Sequence, residues 1–172
     1  YNLTAAAFKK LGLLEFDEIY SKKKQDHFFD DFEKGILSEE AFRAEVRKHI
    51  RHSVTDQQID DAWNAMLINV PESRFTWLNE IRNTYRIFLL SNTNAIHIPL
   101  FNAYVNEKFG DHVFHDLFKK VYFSHQVHLR KPDAAIFELV LRENGLSANE
   151  TLFIDDSFQH IEGARKAGIR AF

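Results

Sequence analysis

The sequence contains no cysteine. That excludes disulfides, a thiolate-bound metal and a thiol nucleophile. No apolar run approaches the ~18 residues that a membrane-spanning helix needs. Residues 1–20 lack the basic, then apolar, then small-residue succession of a secretory signal, so a cytoplasmic protein is the expectation. The net charge of -3 supplies no excess of positive charge for a nucleic-acid partner. There is no internal repeat and no low-complexity linker. The nine histidines include the i,i+3 pairs His49/His52, His112/His115 and His125/His128, yet none has the partners of a zinc site.

What is present is enough for one domain, or for a core with a small subdomain: 172 residues, 45% of them hydrophobic. The 17 phenylalanines recur at helical spacing and read as core. Residues 1–84 read as helix after helix. Leu3 to Leu11 forms one, stopped by Gly12. Lys22, Lys23 and Lys24 read as a solvated turn. Asp26 to Lys34 forms a second, ended by Gly35. Ser38 caps a third, with Phe42, Val46 and Ile50 on one face. Thr55 and Gln58 make a capping box for a fourth that carries Ile59, Ala62, Trp63, Met66 and Leu67. Pro71 stops it, and a fifth runs from Glu72 to Thr84, with Phe75, Leu78 and Ile81 turned inward.

Near residue 84 the period changes. Arg86–Leu90 reads as a strand ending in Ser91 and Asn92, followed by a helix to Phe109. Lys120–Ser124 is a second strand, followed by a loop with Arg130, Lys131 and Pro132. Asp133 caps the next helix, which Gly145 ends. Leu152–Ile154 is a third strand, read as buried. Ser157 caps a helix with small residues, Gly163, Ala164 and Ala167, toward a sheet, and Gly168 ends it. Ile169–Phe172 begins a last strand. Strand alternating with helix is the pattern of a parallel sheet with right-handed crossovers. The expected fold is α/β: a doubly wound (Rossmann-like) parallel sheet core over 81–172, with a helical cap subdomain over 1–80.

Asp155 and Asp156 stand at the exit of the third strand. Burial and mutual repulsion both oppose two charges there, and a hard divalent cation relieves both. The plainer alternative is that Asp156 or Ser157 caps the helix and Asp155 is solvated. In a parallel sheet, Ser91 and Asn92, Lys131, and the acidic pair fall on one edge, where open α/β sheets bind ligands. A hydroxyl, an ammonium and two carboxylates are what metal-assisted phosphoryl transfer needs. Arg130 is read as a packing or ion-pairing group.

Leu89-Leu90-Ser91-Asn92, Arg130-Lys131-Pro132-Asp133 and Phe153-Ile154-Asp155-Asp156-Ser157 resemble motifs II, III and IV of the haloacid dehalogenase-like hydrolase superfamily, in order. Phe32-Glu33-Lys34-Gly35 and Ser38-Glu39-Glu40-Ala41-Phe42 resemble its helical cap. A receiver domain uses similar groups, but its acidic pair sits on the first strand. The resemblance implies a Mg²⁺-dependent phosphatase working through a phospho-aspartate on a small phosphorylated metabolite such as a sugar phosphate. Ser91 and Lys131 would be catalytic. Ser91, Asn92 and Lys131 would bind phosphate. Asp156 would ligate the metal directly, and Asp155 through water. A dehalogenase or phosphomutase on the same scaffold is the first alternative, and a relative that only binds a phosphorylated ligand or partner protein is the second.

The superfamily's first motif, a strand followed by Asp-x-Asp, is not found. Asp30 and Asp31 sit inside a helical pattern with no apolar strand before them. The expectation is therefore a fragment of a longer polypeptide without its nucleophile, inactive as it stands, whose absent strand belongs between those ending at Ser91 and Ile154. His128, Ala134 and His160 depart from the residues common at their motif positions.

Overall fold

The computed structural model describes residues 2–20, 27–67 and 69–172. The lysines at 22, 23 and 24 lie outside the described residues, as does Asp26, the expected start of the second helix. The amino-terminal half is helical: α1 (Asn2–Lys10), α2 (Phe16–Ile19), α3 (His27–Glu33), α4 (Glu39–Lys48), α5 (Asp56–Asn64) and α6 (Glu72–Ile81). The caps are local and satisfied. Ser38 Oγ accepts from the Ala41 N–H, while Thr55 and Gln58 complete a reciprocal capping box. The short α2 was not evident from sequence.

Phenylalanine builds the core of α1–α5. Phe8 stacks on Phe16 with centroids 4.8 Å apart, Phe32 on Phe42 at 4.1 Å, and Phe29 on Trp63 at 5.5 Å. All six are buried. Such ring pairs add roughly 0.5–1.5 kcal/mol each beyond the area they remove from water. Ile96, from the other half of the chain, completes this cluster. By contrast, α6 has no fully buried residue. Its inward face is only half-buried, beside Phe109 and Leu89.

The carboxyl-terminal half alternates strand and helix: β1 (Phe88–Ser91), α7 (His97–Phe109), β2 (Lys120–Phe123), α8 (Ser124–Val127), α9 (Ala134–Asn144), β3 (Leu152–Phe153), α10 (Phe158–Lys166) and β4 (Arg170–Ala171). β1 pairs parallel with β2, Ser91 opposite Phe123, and β3 pairs parallel with β4, Phe153 opposite Ala171. The strands are parallel, as expected, but form two separate two-stranded sheets. α9 and α10 cover the second sheet with Ile136, Phe137 and Ala164. A side chain at Gly163 would stand 2.3 Å from the Pro132 carbonyl oxygen, so only glycine lets α10 approach the loop before α9 this closely.

Beside the second sheet lies an open cleft of about 760 Å³ lined by Arg74 of α6 and by Leu152, Ile154, Asp155, Asp156 and Phe172. The apolar run at 152–154 is consequently not buried: Leu152 is 55% exposed and Ile154 64%. Where a loop was expected after β2, Ser124 begins the one-turn helix α8.

Candidate active site

Three polypeptide segments converge at the strand ends beside this cleft. Lys131 is the centre. Its ammonium donates to the Leu90 carbonyl at 2.9 Å and to Asp155 Oδ2 at 2.6 Å, and it lies 5.5 Å from the centre of the Phe153 ring. Both side chains of the pair are less than a tenth exposed. Asn92 fixes the Lys131 peptide: its Nδ2 donates to the Lys131 carbonyl and its Oδ1 accepts from the Lys131 N–H, each at 2.9 Å. The amide of Asn92 is thus engaged with protein. Ser91, at the tip of β1, makes among the described residues only a long contact with its neighbour's carbonyl, 3.5 Å away.

The two aspartates differ sharply. Asp155 Oδ1 accepts from the Ser157 N–H and from His160 Nδ1, each at 2.9 Å. Asp155 thus holds the N–H of the residue before α10, and the Ser157 side chain itself caps nothing. Burial by itself would raise the Asp155 carboxyl. The hydrogen bonds from Lys131 and the Ser157 N–H, with the lysine's charge, outweigh it and hold the group below the ordinary carboxylate range. An ionised carboxylate only accepts, so His160 carries its proton on Nδ1. Burial and the charge of Lys131 lower the His160 pKa, against the opposing pull of Asp155. Asp156 is exposed, faces the cleft and, among the described residues, has no hydrogen-bond or ion-pair partner.

The predicted residues thus come together through Lys131: Asn92 on its backbone, Leu90 next to Ser91 on its ammonium, and Asp155 next to Asp156. Two features escaped sequence reasoning. One is the grip of His160 on Asp155, for which the only signal was an unusual residue near the start of a helix. The other lies beneath the site. Asn94 Oδ1 accepts from the N–H groups of Ile96 and His97 and so starts α7. His97 donates to Asn64 Oδ1 at 2.8 Å and stacks on Trp63 at 5.3 Å, and burial lowers its pKa to about 4. Among the described residues no cluster of three or more histidine, aspartate and glutamate side chains could hold a metal.

Comparison with known proteins gives a consistent picture. The profile of the family described as haloacid dehalogenase-like hydrolase matches residues 101–172. A D-ribitol-5-phosphate phosphatase of Bacteroides thetaiotaomicron is 28% identical over 168 residues, which span 96% of this chain and 80% of that protein. The crystal structure of a HAD family enzyme from Bacteroides thetaiotaomicron, a single-substitution variant in complex with magnesium and inorganic phosphate, is 33% identical with a TM-score of 0.90, over 99% of this chain and 84% of that one. A HAD-like family hydrolase of Porphyromonas gingivalis is 32% identical with a TM-score of 0.87, over 99% and 82% of the two chains.

Proposed function

The chain belongs to the haloacid dehalogenase-like hydrolases, and on that premise we propose a Mg²⁺-dependent phosphatase of small phosphomonoesters, with a sugar or polyol phosphate as substrate. The observation that carries the reading is the bridge made by one ammonium between the Leu90 carbonyl and Asp155, beside an unengaged Asp156. A relative that acts on D-ribitol 5-phosphate and similar structures that hold magnesium and phosphate support it.

In this reading the Ser91 hydroxyl donates to a phosphoryl oxygen, and Lys131 offsets the negative charge of phosphate and nucleophile. Asn92 serves by locking the Lys131 peptide, which leaves any phosphate contact to its backbone. The residues suit a magnesium ion. Three donors already occupy the oxygens of Asp155, which has about four acceptor positions, whereas Asp156 has all of its own open. Asp156 would hold the ion directly and Asp155 through water, the remaining positions going to water and phosphate. When bound, the ion neutralises developing charge on the phosphoryl oxygens.

The nucleophile in this reading is an aspartate on a strand filling the opening between β1 and β3. Its carboxylate oxygen bonds to phosphorus as the ester oxygen leaves with a proton. Water then cleaves the acyl phosphate, restoring the carboxylate and releasing inorganic phosphate. Helices α1–α5 form a cap that excludes bulk water. The enzyme is cytoplasmic and acts on a free small molecule, with neither nucleic acid nor membrane as partner.

The test is phosphate release by the full-length protein from D-ribitol 5-phosphate and other sugar phosphates, with magnesium or with EDTA, beside the Asp156→Ala variant. The reading expects turnover that EDTA abolishes and Asp156→Ala lacks. Turnover that persists undiminished in EDTA and is equal in both proteins would refute the metal role, and no turnover of any phosphomonoester would refute the phosphatase.

A further inference from the structure

Arg130 stands next to Lys131 but reaches the opposite way. Its guanidinium pairs with Asp30 and, at 2.8 Å, with Glu33, both on α3. Glu33 is nearly enclosed, and burial raises its carboxyl against the opposing charge of Arg130. The ion pair does not stand alone. His128 Nδ1 donates to the Lys34 carbonyl at 2.8 Å. A side chain at Gly35, where φ is +66°, would stand 2.1 Å from the His125 carbonyl oxygen. The end of α3 and the segment 125–130 are thus in backbone contact, joined by a polar link and a forked ion pair. The same segment runs directly into Lys131, whose peptide Asn92 clasps from the other side.

We propose that Arg130, held by Asp30 and Glu33, is a positioning residue that clamps the helical half onto the loop carrying Lys131 and so sets the place of that ammonium. This rests on the phosphatase reading for its catalytic consequence, not for the clamp itself. Arg130 does not touch the predicted reacting groups. It acts through the neighbouring residue, whose two faces are fixed by different halves of the chain. Arginine suits the task because its planar fork meets two carboxylates at once, which a lysine cannot do. A buried pair that loses one partner leaves an uncompensated charge, so the clamp opens when either side is removed.

The experiment combines amide hydrogen exchange with steady-state kinetics on full-length protein, using Arg130→Ala, Arg130→Lys and Asp30→Asn. Arg130→Ala is expected to speed exchange in residues 27–35 and 125–131 by about tenfold or more, leaving the α9 and α10 amides unchanged. It is also expected to lower kcat about tenfold, since a misplaced catalytic group costs rate even when substrate still binds. Arg130→Lys should recover part of both effects. Asp30→Asn, which keeps Arg130 and Glu33 together, should show the same pattern more weakly and covers the case in which Arg130→Ala does not fold. Unchanged exchange at 27–35 in Arg130→Ala, or in Asp30→Asn should the first variant not fold, overturns the clamp. Faster exchange with unaltered kcat and KM overturns the positioning role. A wild-type protein that hydrolyses no phosphomonoester overturns the phosphatase reading, while exchange alone still decides the clamp.

Discussion

Lys131 and Asp155 meet at 2.6 Å across the opening between the two half-sheets. β1 and β3 share no hydrogen-bond ladder among the described residues, so this contact and the lysine's bond to Leu90 tie their ends together. One ammonium therefore has a structural task and a predicted chemical one.

Removing that ammonium separates the two tasks. Lys131→Met should destabilise the protein by about 3 kcal/mol or more, because it strands a buried carboxylate. Adding Asp155→Asn to it should restore much of the stability and none of the turnover. Urea unfolding and phosphate release read the two effects independently.

The two aspartates should part company in stability. Asp156 is exposed and has no partner among the described residues, so Asp156→Asn in metal-free buffer is expected to leave the melting temperature within about a degree. Asp155→Asn loses an acceptor shared by three donors and should lower it. The same pair bears on acid unfolding. The Asp155 pKa is depressed in the fold, so its contribution is present above the ordinary carboxylate value and disappears as pH falls through the depressed one. Asp155→Asn should flatten the acid limb of a stability–pH curve.

His97 acts in a different window. Its folded pKa is lowered from 6.5 to about 4 by burial. The unfolded chain therefore binds more protons between those values, and stability falls as pH drops from 6.5 toward 4, by on the order of 3 kcal/mol in all. Below that range the group adds no further slope. His97→Gln should remove this loss, measured as urea midpoints across the range.

Glycine positions supply a steric test. Gly163→Ala places a carbon 2.3 Å from the Pro132 carbonyl and should cost about 1–3 kcal/mol, with a loss of activity because Pro132 follows Lys131. Gly145→Ala meets nothing within 4 Å and should cost only the strain of its positive φ, roughly 1 kcal/mol.

The helix boundaries at Ser38, Thr55 and Gly145 were legible because caps are local chemistry, satisfied within three or four residues of the signal. Ser157 misled for the same reason. Its hydroxyl has the right position but accepts from no N–H of the first turn, while its own N–H donates to Asp155, two residues earlier. The run Leu152–Ile154 looked buried because three apolar residues ordinarily are. Pairing of β3 on one side only left its other edge at the cleft.

The sequence alone determined the alternation of strand and helix and the local strings around Ser91, Lys131 and Asp155, since these depend on hydrophobic period and on residues adjacent in the chain. Which groups meet was decided only by the tertiary structure. Arg130 finds Asp30 across 100 residues, Asn92 clasps Lys131 across 39, and His160 grips Asp155. Such partnerships carry no periodic or spacing signal, because the closing of the chain, not its order, brings those charges within reach of one another.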